Sequence, residues 1–138
     1  MSALLLDTHI WLWYAEGNAD RLPQTSVHKL DEAREADGLR ILSISVWEIG
    51  VQAAKGRIQL SAPLRTWVAQ ALSPAGINLI ELDADIAAES TLLPGEPHGD
   101  PADRFLIAAA RVSGFVLVTR DKNIIEYGKV GYVRVMEL

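Results

Sequence analysis

The stretch "FVLVTRD", Phe115–Asp121, opens with four apolar residues and closes on Thr119, Arg120 and Asp121. An unbroken apolar run, without alternation, suits a strand covered on both faces, as in the middle of a parallel sheet. "LLLD", Leu4–Asp7, has the same design: a short apolar run and then a carboxylate. In an open α/β sheet, ligands bind beyond the carboxyl ends of the strands, where the strand order reverses. These two stretches therefore indicate both a fold class and the edge of the sheet at which chemistry is expected.

Further apolar runs extend the pattern. Candidate strands are Ala3–Leu6, Arg40–Ile44, Asn78–Leu82, Phe115–Thr119 and Tyr132–Met136. Between them lie segments of helical period: His9–Glu16, Gln24–Ala36, Val46–Ala54 opened by Ser45, Pro63–Leu72, Ala84–Leu92 and Pro101–Val112, with a short helix over Lys122–Tyr127. Strands alternating with helices predict an α/β domain with a mostly parallel sheet. At 138 residues the chain reads as a single domain over 1–138, long enough to bury a real core. The Pro- and Gly-rich "LPGEPHGDP", Leu93–Pro101, is too short for a linker between domains and is expected to be a loose loop flanking a site. "EAREADG", Glu32–Gly38, reads as the solvated end of a helix.

Composition narrows the function. No cysteine is present, which excludes disulfides, thiolate metal sites and thiol nucleophiles, and fits a reducing, cytoplasmic setting. The opening "MSALLLDTHIWLWYAEG" carries Asp7 and lacks a basic lead-in, so it is expected to be a core strand and helix rather than a leader peptide or membrane span. The net charge of −5 is wrong for a protein that grips nucleic acid by charge alone. Either the partner is not nucleic acid, or the acidity is local and a cation neutralises it.

The acidic residues each have a structural explanation. Asp7 and Asp121 follow strands and can cap the next helix. Ser45 and Glu48 form an S-x-x-E capping box. In "GDPADRFLIAAAR", Gly99–Arg111, Asp100 is a good N-cap, Pro101 suits the first helical position and Asp103 complements the helix dipole. Capping accounts for each residue singly but not for several carboxylates at junctions that can face one sheet edge. Two like charges about 4 Å apart repel by roughly 4 kcal/mol at an effective dielectric near 20. A divalent cation removes that repulsion. Oxygen donors without cysteine or a histidine pair suit Mg²⁺ or Mn²⁺, and the chemistry implied is phosphodiester hydrolysis.

The remaining candidates are less specific. His9 is expected to stand beside the site rather than ligate a metal, and His98 lies in the loop before Asp100. Arg104, Arg120 and Lys122 flank the aspartates, as phosphate contacts or as solvated charges. Trp11 and Trp13 are too close in sequence to share one helical face, so one of them is expected to be partly exposed, in a protein interface.

Taken in order, "LLLDTHIWLW", "LSISVWEIGVQAAKGRIQL", "GDPADRFLIAAAR" and "LVTRD" resemble the PIN-domain family, and within it the VapC-type ribonuclease toxins of bacterial toxin–antitoxin pairs. The resemblance implies a three-layer α/β/α sandwich with a five-stranded parallel sheet, usually as a homodimer. It implies that Asp7, Glu48, Asp103 and Asp121, with Asp100 as an accessory acid, hold one or two Mg²⁺ or Mn²⁺ ions and activate water to cleave RNA. Thr8 and Thr119 match small hydroxyl positions that support the acids by hydrogen bonds. The implied partners are an RNA substrate and a cognate antitoxin, typically a small DNA-binding protein, with no membrane.

Three other readings compete. A dehalogenase-like phosphatase needs an aspartate where His9 stands. A phosphoacceptor signalling domain needs paired acids after the first strand and a lysine after the last, and neither is present. A phosphoacceptor or other α/β binding module whose carboxylates are only helix caps remains the alternative.

Overall fold

The computed structural model describes residues 2–97 and 99–138; His98, a candidate substrate contact, lies outside them. In chain order the elements are β1 (Leu4–Leu6), α1 (Thr8–Glu16), α2 (Gln24–Glu35), β2 (Leu39–Leu42), α3 (Ser43–Ala54), α4 (Leu64–Leu72), β3 (Ile77–Ile80), α5 (Ala84–Ser90), α6 (Pro101–Ser113), β4 (Val116–Thr119), α7 (Lys122–Lys129) and β5 (Val135–Glu137). The strands form one sheet in the order β3-β2-β1-β4-β5, and every neighbouring pair is parallel.

The chain builds outward from β1 to β2 and β3, then crosses back to place β4 on the other side of β1. The reversal therefore lies between β1 and β4. The register pairs Leu4 with Val116, Leu5 with Leu117 and Leu6 with Val118, so both strands end at the same level. The Asp7 amide donates to the Val118 carbonyl at 3.0 Å, which extends that pairing by one residue.

Alternate residues of a strand point to opposite faces. Leu4 and Leu6 join Leu39, Ile41 and Val118 against Ile10, Trp11, Leu30, Ile49 and Trp67. Leu5, Leu42 and Leu117 face the other way, against Ile86, Leu106, Ile107, Ile124 and Tyr127. Helices cover both faces, which explains why β1 and β4 carry no alternation, and the result is a three-layer α/β/α sandwich. In α6, Ala108, Ala109 and Ala110 are buried with little side chain, so this helix packs closely onto the sheet and α5.

Three expectations change in detail. β2 ends at Leu42 and α3 begins at once at Ser43, whereas the sequence suggested a strand to Ile44 and a helix opened by Ser45. Ser45 thus lies inside the first turn and forms no capping box: its buried hydroxyl is 2.8 Å from that of Thr8, while the Ser43 hydroxyl accepts from the Leu82 amide. β5 starts at Val135 rather than Tyr132: the Leu117 amide of β4 donates to the Arg134 carbonyl, and Tyr132, ahead of the strand, packs its ring on Tyr127. The loop from Leu93 is tied down where it begins: Leu93 is buried and the Tyr127 hydroxyl donates to the Pro94 carbonyl at 2.5 Å. No helix among the described residues is long and apolar enough to cross a membrane.

Candidate active site

Asp7 follows β1 and caps α1. Its Oδ1 accepts from the His9 amide at 3.0 Å, and its Oδ2 accepts from the Thr119 hydroxyl at 2.5 Å. Thr119, the fully buried last residue of β4, also accepts from the Asp121 amide at 3.0 Å. One hydroxyl therefore fixes the two aspartates that follow the neighbouring strands. Asp121 in turn caps α7 through Oδ1, which accepts from the Asn123 and Ile124 amides.

The second hydroxyl-based arrangement begins at Thr8. Its Oγ1 donates to Oε1 of Glu48 and lies 2.8 Å from the Ser45 hydroxyl. Glu48 sits one turn into α3, so this short chain of hydroxyls sets its carboxylate against the start of α1. Asp100 caps α6 and accepts from the Asp103 amide at 3.1 Å, and Pro101 occupies the first turn. Glu48 and Asp103 lie within their helices rather than at cap positions, so capping does not account for them.

Asp7, Glu48, Asp100, Asp103 and Asp121 line one cavity of about 390 Å³, with His9, Ile10, Trp13 and Arg120 on its remaining walls. It opens at the carboxyl ends of β1 and β4, the reversal point of the sheet. The electrostatic consequence is largest at Asp103. Burial, followed by the charges of Asp100, Asp121, Asp7 and Glu48, pushes its pKa up to about 8. Glu48 is raised by burial against the opposing hydrogen bond from Thr8, with Asp100 and Asp7 adding to the rise. Asp7 is raised by burial despite its bonds from Thr119 and the His9 amide. Proteins tolerate such mutual repulsion where function uses it.

The donor set suits a hard dication. Among the described residues no three acidic or histidine side chains stand close enough to enclose an ion by themselves. The carboxylates ring an open cavity instead. Mg²⁺ is commonly held by one or two carboxylates, with waters and substrate phosphates completing its shell, so an open ring of oxygens fits that ion better than a closed cage would.

The other candidates separate. Arg120 reaches the cavity, with its guanidinium 5.3 Å from the Trp13 ring centre. Arg104 is not on the cavity lining, and its Nε donates to the Ser90 carbonyl at 3.4 Å. Lys122 is exposed on the first turn of α7, outside the cavity lining. Trp11 is fully buried against Trp67, whereas Trp13 is the partly exposed one of the pair, half-buried on the cavity wall. Sequence reasoning missed Trp13 as a wall of the site. Its one hint was the i, i+2 spacing of Trp11 and Trp13.

The PIN domain family matches residues 4–130 of this sequence. The chain belongs to the PIN-domain family. A curated PIN-domain relative, Ribonuclease VapC22 of Mycobacterium tuberculosis, is 32% identical over 124 residues, covering 90% of this chain and 91% of that protein. Among solved structures, VapBC2 of Rickettsia felis bound to a promoter DNA fragment superposes with a TM-score of 0.71 at 16% identity, covering 98% of both chains. DNA-bound VapBC of Salmonella typhimurium gives 0.68 at 20% identity, covering 99% of this chain and 98% of that one. At those identities the two structures establish the PIN fold.

Proposed function

We propose that this PIN-domain protein is a Mg²⁺- or Mn²⁺-dependent endoribonuclease, the toxin half of a toxin–antitoxin pair. The single observation that carries this reading is the convergence of five carboxylates on one cavity where the sheet order reverses. The curated relative, a ribonuclease, supports RNA as the substrate. Complexes of VapBC and a toxin–antitoxin complex from Klebsiella pneumoniae, which have this fold, support an antitoxin partner. A homodimer and a cytoplasmic site of action belong to the same proposal.

Asp7, Glu48, Asp103 and Asp121 would hold one or two ions, with Asp100 at the rim. A bound Mg²⁺ or Mn²⁺ supplies Lewis-acid stabilisation of phosphate oxygens and lowers the pKa of water. The chain itself contributes positioning. Thr119 keeps Asp7 and Asp121 in register, and Thr8 keeps Glu48 turned toward the cavity. Asp103, with its pKa near 8, holds a proton that a bound cation would have to displace at neutral pH. Arg120 is the positive group on the wall and the candidate contact for substrate phosphate.

The test is cleavage of total RNA by the purified chain with Mn²⁺ and with chelator. Asp7→Asn and Asp103→Asn should each remove more activity than the roughly 10–100-fold lost when a group that supports metal ligands is altered. Their circular dichroism should match wild type, since Asp7→Asn keeps the Oδ1 that caps α1 and Asp103 lies within α6 rather than at its cap. Full activity in either folded variant refutes the assignment.

A further inference from the structure

An acidic protein with an acidic cavity must still hold a polyanion. The net charge is −5, and the carboxylates that gather a cation also repel phosphates on either side of the scissile bond. The described surface answers this at one residue. Trp13 stands on the cavity wall, and two cations from distant parts of the sequence meet its ring. The Arg120 guanidinium lies 5.3 Å from the ring centre and that of Arg21 lies 5.9 Å away. Both distances fall within the range over which an indole attracts a cation.

Local structure brings them there. α1 ends at Gly17, which takes the left-handed conformation at φ 62°, and the Asn18 amide turns back to the Trp13 carbonyl at 3.0 Å. The Asn18 side chain accepts from the Arg21 amide and Leu22 is buried next to it, so Arg21 returns over the helix it has just left. Arg120 follows directly from β4, and its Nε donates to the Leu138 carbonyl at 2.8 Å. Arg21 is exposed, and Arg120 is half-buried on the cavity wall, so neither charge lies in the core.

We propose that Trp13 is a positioning residue that gathers Arg21 and Arg120 into a cationic clamp for the phosphates of single-stranded RNA entering the cavity. The clamp rests on the ribonuclease reading and adds to it where the strand is gripped. The ring attracts two guanidinium groups that repel one another: Arg120, already tied to the Leu138 carbonyl, and the exposed Arg21. Neutralised phosphates release counterions, so each arginine that contacts one contributes about 0.7 to the slope of log affinity against log salt for a single strand.

The test is fluorescence anisotropy of a labelled oligouridylate with the full chain, in Ca²⁺, across a salt series, with the oligonucleotide checked for integrity on a gel. Arg21→Gln and Arg120→Gln should each weaken binding and flatten the slope by about 0.7. Trp13→Leu should flatten it nearly as much as the double arginine variant, while Trp13→Phe, which keeps an aromatic face, should stay near wild type. In Mn²⁺, Trp13→Leu should raise KM for RNA by a larger factor than it lowers kcat. Wild-type slope and affinity in both arginine variants would overturn the clamp while leaving the ribonuclease reading intact. Altered slopes in those variants but not in a folded Trp13→Leu would overturn the positioning role of the tryptophan. If Trp13→Leu does not fold, the arginine variants and Trp13→Phe decide. A wild-type chain that binds no RNA would defeat the ribonuclease reading itself, and the clamp with it.

Discussion

At the scale of single residues, the site depends on two hydroxyls as much as on its carboxylates. Thr119 donates to Asp7 and accepts from the Asp121 amide, so it links the chemistry at the ends of β1 and β4. Thr119→Val keeps the shape and removes the donor. It should lower metal-dependent cleavage by about 10–100-fold, as for other groups that orient metal ligands, measured as kcat/KM on a fixed RNA. Asp103 makes a different prediction. Its pKa is about 8 in the folded chain and near 3.8 as a free side chain, so between those values the folded state binds more protons than the unfolded state. Its contribution to stability is therefore fully present below the unfolded value and is lost as pH rises toward 8. Glu48 and Asp7 shift in the same direction. Metal-free protein should show a melting temperature that falls across this window more steeply than that of Asp103→Asn, and the gain from added Mn²⁺ should grow with pH as the cation displaces the proton. Equal pH slopes for the two proteins in thermal melts would contradict this.

At the scale of elements, each acid near a helix start serves capping and the cavity in different proportions, and substitution can separate the two. Asp100 accepts from the Asp103 amide at the head of α6. Asp100→Ala should cost about 1 kcal/mol in denaturant unfolding, the usual loss for a removed cap. Asp100→Asn keeps the cap, so its stability should stay near wild type while its activity falls with the lost charge. If both variants are as active as the wild type, Asp100 is a cap alone. Much of this level was legible in the sequence. The apolar runs before Asp7 and Asp121 marked β1 and β4, because runs of three or four apolar residues closed by polar ones are too short for a buried helix. The Pro and Gly around Asp100 marked the head of α6. The start of α3 was not legible. Ser43 and Ser45 are both good first-turn residues, and only tertiary partners chose between them: Leu82 for Ser43 and Thr8 for Ser45. Arg104 and Arg120 looked alike beside their aspartates for the same reason. A helix-borne Arg104 was drawn to the Ser90 carbonyl of α5, whereas Arg120 met Trp13, and contacts at that sequence separation leave no local pattern.

At the scale of the whole molecule, the fold explains why scattered acids become one site. The order β3-β2-β1-β4-β5 makes β1 and β4 neighbours although most of the chain separates them, and their register ends both strands at one level. The two cores hold that register. Leu5 is fully buried against the α6 side and Leu6 against the α1 side, and truncation of either to Ala should cost about 2–5 kcal/mol. What the sheet delivers is a ring of carboxylates whose repulsion a dication would relieve. Anomalous diffraction from crystals soaked in Mn²⁺ tests this most directly. The account predicts a manganese peak inside the cavity, coordinated by carboxylate oxygens of Asp7 and Asp103 and absent from Asp103→Asn crystals. A well-soaked crystal with no peak there, or with manganese only at carboxylates elsewhere on the surface, would contradict it.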